Sequence, residues 1–114
     1  MQITIEGLES YLSNHYGGWA NEQSLFMKLV EEMGEVAEIL NKRTGRKASD
    51  GTDLQEELGK ELADMIHYTV AIAAVNGLDL TEMILSKDRQ ASVKYHRAEN
   101  LEVFLAKRSD GSPV

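Results

Sequence analysis

Two short acidic motifs contain the residues of this chain whose types and spacing could do chemistry. Glu31-Glu32-Met33-Gly34-Glu35 places two carboxylates, Glu32 and Glu35, three residues apart, and Glu61-Leu62-Ala63-Asp64 repeats that step. Residues three apart lie on one face of a helix, so each motif sets like charges one turn from each other, where they repel. A hard divalent cation offsets such repulsion, and Mg²⁺ is commonly held by a few carboxylates while it keeps positions for water and phosphate.

The apolar residues around the two motifs also match when the chain is shifted by 29 positions. With about 100° between successive helical residues, each segment forms an apolar stripe with its acids at the edge. The first stripe holds Leu25, Leu29, Met33, Val36 and Leu40, and the second holds Leu54, Leu58, Leu62, Met65 and Ile66. If the stripes pack together, the four carboxylates converge beside the seam. Gly34 costs about 1 kcal/mol relative to Ala in mid-helix, which indicates a packing or site reason such as close approach of its backbone to Ala63.

A solvated helix face and a di-iron site are alternative interpretations of the acids, and both stay open. A single pair of acids commonly forms a solvated face. The di-iron interpretation starts from Asp64 and His67, whose spacing echoes the carboxylate-x-x-His step of di-iron bundles. Those sites use two such steps and two further glutamates, whereas this chain offers one step, and the helical wheel points His67 away from the seam.

The elements that must position the acids are all predicted to be helices. No stretch alternates with period two over a strand's length, and the only proline is Pro113. The predicted helices span residues 4–16, 22–43, 53–75, 79 or 81 to 97, and 101–107. Short connections favour antiparallel neighbours. The predicted fold is therefore all-α, an antiparallel bundle of four main helices in a single domain, 1–114, whose tail from about residue 98 holds a short helix.

Start and stop signals support these bounds. The predicted N-caps are Thr4, Asn21, Asp53 and Asn100, of which Asp53 forms a capping box with Glu56. Gly17-Gly18 and Asn76-Gly77 predict helix ends. Residues 44–52, with two glycines and two basic residues, predict a loop, and residues 109–114 are expected to fray.

Composition bounds the class of protein. The chain has 114 residues, 42% hydrophobic and 27% charged, which suffices for one packed domain. A core of this size is thin, and oligomerisation is expected to supplement it. The net charge of -7 argues against a nucleic-acid or membrane-surface partner, because both favour basic patches. An acidic protein that binds an anion such as a nucleotide needs a metal to screen its own charge.

The absence of certain residue types and segments limits the chemistry and the location that the sequence allows. The chain has no cysteine, which excludes disulfides, zinc–thiolate sites and thiol chemistry. Its N-terminus lacks the basic start and the apolar core of a signal peptide. No apolar run reaches the roughly 20 residues of a membrane span. The predicted location is the cytoplasm.

Glu-Glu-x-x-Glu and Glu-x-x-Asp, with 25 residues between Glu35 and Glu61, resemble the paired motif of the MazG-like all-α nucleoside triphosphate pyrophosphohydrolases. The resemblance runs from about Leu25 to Tyr95. It implies Mg²⁺-dependent hydrolysis between the α- and β-phosphates, with Mn²⁺ as an alternative ion, and a homo-oligomer, tetramer or dimer, that shares a four-helix core. The metal ligands that it implies are Glu32, Glu35, Glu61 and Asp64, with Glu31 beside them as an acid or base.

Softer matches to this family concern the substrate. In some relatives a tyrosine one turn after the ExxD aspartate borders the base pocket, and Tyr68 stands there. Lys87 and the pair Lys94-Tyr95 match basic positions of relatives and could offset the triphosphate charge. Trp19 could stack on a base. The alternatives are solvated surface positions for the lysines, an apolar lid for Trp19, and a core or interface role for Tyr68.

The chemistry fits the acids without a nucleophilic triad. Phosphoryl transfer needs charge neutralisation and alignment more than covalent help, and a metal held by carboxylates lowers the pKa of a bound water. The predicted function is hydrolysis of (deoxy)nucleoside triphosphates to monophosphate and pyrophosphate, as nucleotide-pool house-cleaning. A phosphoribosyl-ATP-type pyrophosphohydrolase and a non-catalytic helical interaction module stay open, and metal binding would separate an enzyme from the latter.

Overall fold

The computed structural model describes residues 1–17, 21–45 and 53–109. These residues form five α-helices, and no strand occurs among them, which confirms the all-α prediction. The helices are α1 Ile5–Tyr16, α2 Glu22–Arg43, α3 Leu54–Val75, α4 Leu80–Lys94 and α5 Leu101–Ser109. Trp19, most of the predicted loop and the tail after Ser109 lie outside the described residues.

Side-chain caps begin four of the five helices. Backbone N–H groups donate, each to the side-chain oxygen three residues earlier, at Thr4, Asp53, Asp79 and Asn100. Such bonds satisfy donors that the first helical turn leaves without a partner. Asn21 departs from this pattern. It precedes α2, but its side chain makes no cap bond; its Nδ2 instead donates to the carbonyl of Tyr16 at 2.5 Å. It therefore ties the start of α2 to the end of α1.

The end of α4 lies three residues before the predicted one. Tyr95 follows the helix, and His96 then adopts a φ of 54°, a left-handed conformation that is uncommon for residues other than glycine. The Arg97 N–H donates to the Ser92 carbonyl at 2.9 Å, and the His96 N–H donates to the Val93 carbonyl at 3.3 Å. This pair of bonds is a Schellman motif, which satisfies the last carbonyls of α4 and ends the helix.

The helices form two compact units, one from Met1 to Leu78 and one from Asp79 onward. In the first unit α3 packs against both α1 and α2. Its buried apolar residues are Leu12 of α1, Leu25 and Ile39 of α2, and Val70, Ala71, Ala73 and Val75 of α3. In the second unit α4 packs against α5, and the Asp88 carboxylate accepts a hydrogen bond from the Leu101 N–H at 2.7 Å.

No described helix is by itself long and apolar enough to cross a membrane. By length and composition, α3 and α4 pass that test only when the two are counted together.

The contact between α2 and α3 differs from the predicted packing of two apolar stripes. The less exposed positions along α2 are Leu25, Leu29, Glu32, Val36, Ile39 and Lys42, and along the facing part of α3 they are Leu54, Glu57, Leu58, Glu61 and Met65. Met33 and Leu40, which were predicted to lie in the seam, are 51% and 45% exposed. Compared with the predicted packing, the line of contact along each helix is therefore shifted by about one residue around the helix axis. As a result Glu32 and Glu61 lie within the seam, where the prediction put them beside it.

An outer apolar face remains on the first unit. Along α2 it consists of Phe26, Val30, Met33, Ala37 and Leu40, all exposed. With about 100° per residue, these positions lie roughly a quarter turn around α2 from the line that α3 covers. On α3, Leu62 and Ile66 are exposed as well.

The predicted close approach at Gly34 is wrong for the chain by itself. Gly34 is exposed, and a Cβ built there meets no described atom within 4 Å. Its backbone therefore does not press against Ala63 across the seam. Gly34 lies instead at the border of the outer apolar face.

Candidate active site

Three carboxylates converge at the middle of the contact between α2 and α3. One oxygen from each of Glu32, Glu61 and Asp64 lies within 4.8 Å of the other two. Glu32 comes from α2, and the other two come from one face of α3, so the pairing of the helices is what brings the acids together. The structure thus places three of the four predicted ligands at one point.

Glu35 adjoins this group from the next turn of α2. It raises the pKa of Glu61, through hydrogen bonding to the protonated Glu61 carboxyl and through its own negative charge. Its oxygens are not among the three that converge most closely, and its side chain is exposed. Glu35 therefore borders the cluster on the solvent side.

Crowding of the carboxylates changes the protonation of Glu61. Its pKa is raised to about 8, first by the hydrogen bond with Glu32, then by burial, and then by the hydrogen bond and the charge of Glu35. A hydrogen bond to the neutral form and nearby like charges both favour the protonated carboxyl. Glu61 therefore binds a proton far more tightly than an ordinary glutamate does.

Two oxygens of the cluster provide a test of whether it fits a metal. Glu32 Oε2 and Glu61 Oε2 are shielded from solvent, and neither has a hydrogen-bond partner within the described part of the chain. A buried polar atom without a partner costs about 1–3 kcal/mol, and more when it is charged. Carboxylate oxygens are the ligands that Mg²⁺ and other hard divalent cations prefer. The residues present therefore fit a divalent cation.

Glu31 is exposed on α2 and is not among the residues whose oxygens converge. Its carboxylate is 3.4 Å from the Lys28 ammonium, and both side chains are more than half exposed. Exposed pairs of this kind contribute about 0–1 kcal/mol to stability, so the pair does not fix either side chain. Glu31 is thus in contact with solvent one residue from Glu32, and its role as an acid or base stays a prediction.

A cavity of about 210 Å³ lies along α2 and α3, next to the stretch of each helix that carries the cluster. The described residues that line it are Tyr16, Asn21, Ser24, Leu25, Lys28 and Tyr68. Lys28 lies one turn before Glu32 on α2, whereas Tyr68 lies one turn after Asp64 on α3, so the two helices run antiparallel here. At about 1.5 Å per residue, the cavity begins roughly 6 Å along the helices from the carboxylates.

Tyr16, Asn21, Ser24 and Lys28 were missed by the sequence analysis as site residues. Lys28 carries a usable signal, because it stands one turn before Glu32 on the helix that holds the acids. The sequence around Tyr16 carries no such signal, since Tyr16 ends α1 and its hydrogen-bond partner His67 is 51 residues away. Only the packing of α1 on α3 brings it to the cavity.

His67 belongs to this aromatic region and not to the carboxylate cluster. Its Nε2 lies 2.6 Å from the Tyr16 phenol oxygen, and the group of converging ligand atoms in the described residues contains no histidine. The helical wheel predicted that His67 points away from the seam, and its hydrogen-bond partner is indeed Tyr16 of α1. The di-iron alternative therefore lacks its histidine ligand.

The predicted substrate residues of the second unit are exposed there. Lys87 lies on α4, Lys94 is the last residue of that helix, and Tyr95 follows it. The Lys94 ammonium lies 5.4 Å from the centre of the Tyr95 ring, a cation–π distance. Trp19 lies outside the described residues.

The sequence matches a family model described as the MazG nucleotide pyrophosphohydrolase domain. The match covers residues 20–96, more than half of the chain, and includes both acidic motifs. The chain belongs to the MazG nucleotide pyrophosphohydrolase family. The resemblance drawn from the paired acidic motif is thereby confirmed for this MazG domain.

Two relatives support the assignment of the MazG domain. The crystal structure of iMazG from Vibrio DAT 722 has a TM-score of 0.63 and 27% sequence identity, and the match covers 83% of this chain and 100% of that one. The protein named "Uncharacterized protein YpjD" of Bacillus subtilis (strain 168) is 27% identical over 74 residues. This match covers 65% of each protein, so the chain spans about 65% of the length of this curated relative.

Proposed function

We propose that this MazG domain hydrolyses (deoxy)nucleoside triphosphates to nucleoside monophosphate and pyrophosphate with the help of a divalent cation. The observation that carries the proposal is the convergence of oxygens from Glu32, Glu61 and Asp64 within 4.8 Å. It occurs on two helices of a chain that belongs to a nucleotide pyrophosphohydrolase family. The proposed role is nucleotide-pool house-cleaning in the cytoplasm, with residues 1–114 acting as one domain.

The residues that would hold the cation are Glu32, Glu35, Glu61 and Asp64. Mg²⁺ is the proposed ion, with Mn²⁺ as an alternative. When bound, a divalent cation neutralises phosphate charge and lowers the pKa of a coordinated water. Glu32 and Glu61 are proposed to anchor the site from within the helix seam, and the exposed Glu35 and Asp64 are proposed to face the substrate. Glu31, exposed beside Glu32, is the proposed acid or base for the attacking water.

The cavity beside the cluster supports a nucleotide as the substrate. Its position, one turn from the carboxylates along both helices, matches the short distance between the α-phosphate of a nucleotide and its nucleoside. Tyr68 is the proposed contact to the base, and Trp19 is proposed to stack on it. Lys87, Lys94 and Tyr95 of the second unit are proposed to contact the substrate, the lysines by offsetting the triphosphate charge.

The outer apolar face supports a homo-oligomer, a tetramer or a dimer. An α2–α3 pair from each of two copies would form a shared core of four helices. Phe26, Met33 and Ile66 are each about half exposed in a single chain, and fully burying one such side chain contributes about 1.5–3 kcal/mol. Self-association through this face therefore supplements the small core of the first unit.

The test is a panel of nucleoside and deoxynucleoside triphosphates incubated with Mg²⁺ or Mn²⁺, with separation of the products. The expected products are monophosphate and pyrophosphate, formed with metal and absent with a chelator. Asp64→Asn should abolish turnover, because it removes a ligand charge at nearly constant volume, and Glu57→Gln on the same helix is the matched control. Release of orthophosphate as the first product, or full activity of Asp64→Asn, would contradict the proposal. Metal binding without turnover of any nucleotide would also overturn it.

A further inference from the structure

We propose that His67 is a positioning residue, which holds Tyr16 and Tyr68 as two aromatic walls of a pocket for the heteroaromatic base of the substrate. Tyr16 is then a specificity-determining residue contributed by α1. The identity of the ligand rests on the proposed function, whereas the arrangement of the three rings is independent of it.

His67 contacts both tyrosines. Its Nε2 lies 2.6 Å from the Tyr16 phenol oxygen, and the two ring centres are 5.7 Å apart at an interplanar angle of 80°. The rings of His67 and Tyr68 are 5.0 Å apart at 77°. Both contacts have the edge-to-face geometry that aromatic pairs prefer. One imidazole therefore fixes the ring of a tyrosine on α1 and that of its own neighbour on α3.

The other end of Tyr16 is also held. Its backbone carbonyl accepts a hydrogen bond from Asn21 Nδ2 at 2.5 Å, and Gly17 with a φ of 76° ends α1 directly after it. Burial, and to a smaller extent Tyr68 and Tyr11, raise the pKa of the Tyr16 phenol above its usual value. The phenol thus keeps its proton at neutral pH. It donates to Nε2 in one histidine tautomer and accepts from Nε2–H in the other, so the bond persists in both.

The lining of the cavity favours a flat aromatic group. Tyr16 and Tyr68 both line it, together with Leu25, and the side chains of Asn21, Ser24 and Lys28 supply polar groups at its edge. Stacking of a base on an aromatic side chain improves affinity roughly 5- to 150-fold. The cavity starts one turn from the carboxylates. A nucleotide whose phosphate is held at the carboxylates therefore has its nucleoside at these rings.

The test separates base recognition from phosphate recognition. Tyr16→Phe removes only the phenol oxygen, His67→Phe keeps a ring without a hydrogen bond, and His67→Gln restores a hydrogen-bonding group. Tyr11→Phe is the matched control, because Tyr11 is an exposed tyrosine of the same helix that does not line the cavity. Each variant is measured for KM and kcat with a nucleoside triphosphate, for affinity toward the nucleoside monophosphate, and for inhibition by inorganic tripolyphosphate, which has no base.

The loss of one hydrogen bond predicts that KM and the monophosphate Kd rise about 2- to 12-fold in Tyr16→Phe and His67→Phe. The value of kcat, the inhibition by tripolyphosphate and the metal-induced melting shift should stay unchanged. The double variant Tyr16→Phe/His67→Phe should bind the monophosphate no more weakly than either single variant. His67→Gln should recover part of the lost affinity. Tyr11→Phe should match the wild type.

Two results would overturn the inference. One is an unchanged KM and an unchanged monophosphate Kd in Tyr16→Phe, whose isosteric ring is not expected to disturb folding. The other is an equal loss of nucleotide and tripolyphosphate binding, which would indicate a purely structural role. The proposed function fails separately. If the wild type hydrolyses no triphosphate while Tyr16→Phe still weakens monophosphate binding, the aromatic pocket stands and the reaction assignment falls.

Discussion

Glu32 and Glu61 meet across the contact between α2 and α3, and their hydrogen bond is the largest cause of a pKa of about 8 at Glu61. Each also has an Oε2 atom that is shielded from water and lacks a partner in the described residues. A proton and a divalent cation therefore compete for the same two carboxyl groups. This competition links the stability of the protein to pH and to metal.

The stability of the metal-free protein should fall as pH rises from about 5 to about 8. The Glu61 pKa is raised from its ordinary value of 4.5 to about 8 in the folded state, so in this range the folded protein binds more protons than the unfolded chain. This contribution is fully present below the unfolded pKa and is lost as pH passes through the folded one. Melting temperatures in chelator at constant ionic strength measure it.

Substitution identifies Glu61 as the source of this slope. Glu61→Gln should flatten the melting curve against pH, because glutamine mimics the protonated carboxyl and does not titrate. Glu57→Gln, one turn earlier on α3, should keep the slope of the wild type. A melting temperature that climbs steadily across this pH range would contradict the assignment of a raised Glu61 pKa.

Mg²⁺ or Mn²⁺ should raise the melting temperature well beyond a matched salt control. A ligand that binds only the native state adds about 2.7 kcal/mol of stability at a hundredfold excess over its Kd. The shift should be smaller in Glu35→Gln, and it should grow with pH because metal binding needs ionised carboxylates. Glu31→Gln, outside the converging oxygens, should keep the melting shift but lower turnover. Identical melting with and without metal would remove the site.

The sequence was sufficient to locate the acids because their spacing follows the helical repeat. A three-residue step on each of two helices fixes which side chains share a face, and this information is local. The rotation of one helix against the other is set by tertiary packing. The wheel assigned Met33 and Leu40 to the seam because they are apolar, whereas the structure covers Glu32 and Ile39 there. Polarity is a poor guide where half-buried acids lie among the apolar residues of a helix contact.

The aromatic pocket shows the other limit of sequence reasoning. The bond between Tyr16 and His67 joins residues 51 positions apart, and no periodic pattern connects them. Asn21 shows a similar limit of sequence reasoning. Its residue type and place predicted a cap for α2, but its amide instead donates to the last carbonyl of α1.

Substitutions on the outer apolar face should show whether a second copy of the chain covers it. Met33 and Met27 are 51% and 52% exposed in the single chain, and they lie about 120° apart around α2. If the outer face forms a shared core, Met33→Gln should shift the protein toward a smaller species in light scattering, while Met27→Gln should not. In a monomer both changes would fall within about 0.5 kcal/mol of neutral. A monomer for the wild type at micromolar concentration would contradict the proposed assembly.

Lys87→Ala should impair turnover and leave the fold and the metal-induced melting shift intact, since Lys87 is proposed to offset triphosphate charge. Its control is Lys60→Ala, which removes an exposed lysine that pairs with Glu56 at 3.5 Å on α3. The measurement is kcat/KM for the preferred nucleotide at fixed metal concentration. An unchanged kcat/KM in Lys87→Ala would assign this lysine to the solvated surface.

The position of attack on the substrate can be read from isotope labelling. A cation held by Glu32, Glu35, Glu61 and Asp64 is proposed to favour attack of water at the α-phosphorus, because pyrophosphate is then a leaving group whose charge the metal offsets. In ¹⁸O water the label should therefore appear in the nucleoside monophosphate, as mass spectrometry of the products would show. Label in the pyrophosphate would place the attack at the β-phosphorus and require a different orientation of the substrate. Asp64→Asn should form neither labelled product while it melts as a folded protein, because the substitution removes one charge at nearly constant volume and leaves the packing of α2 on α3 in place.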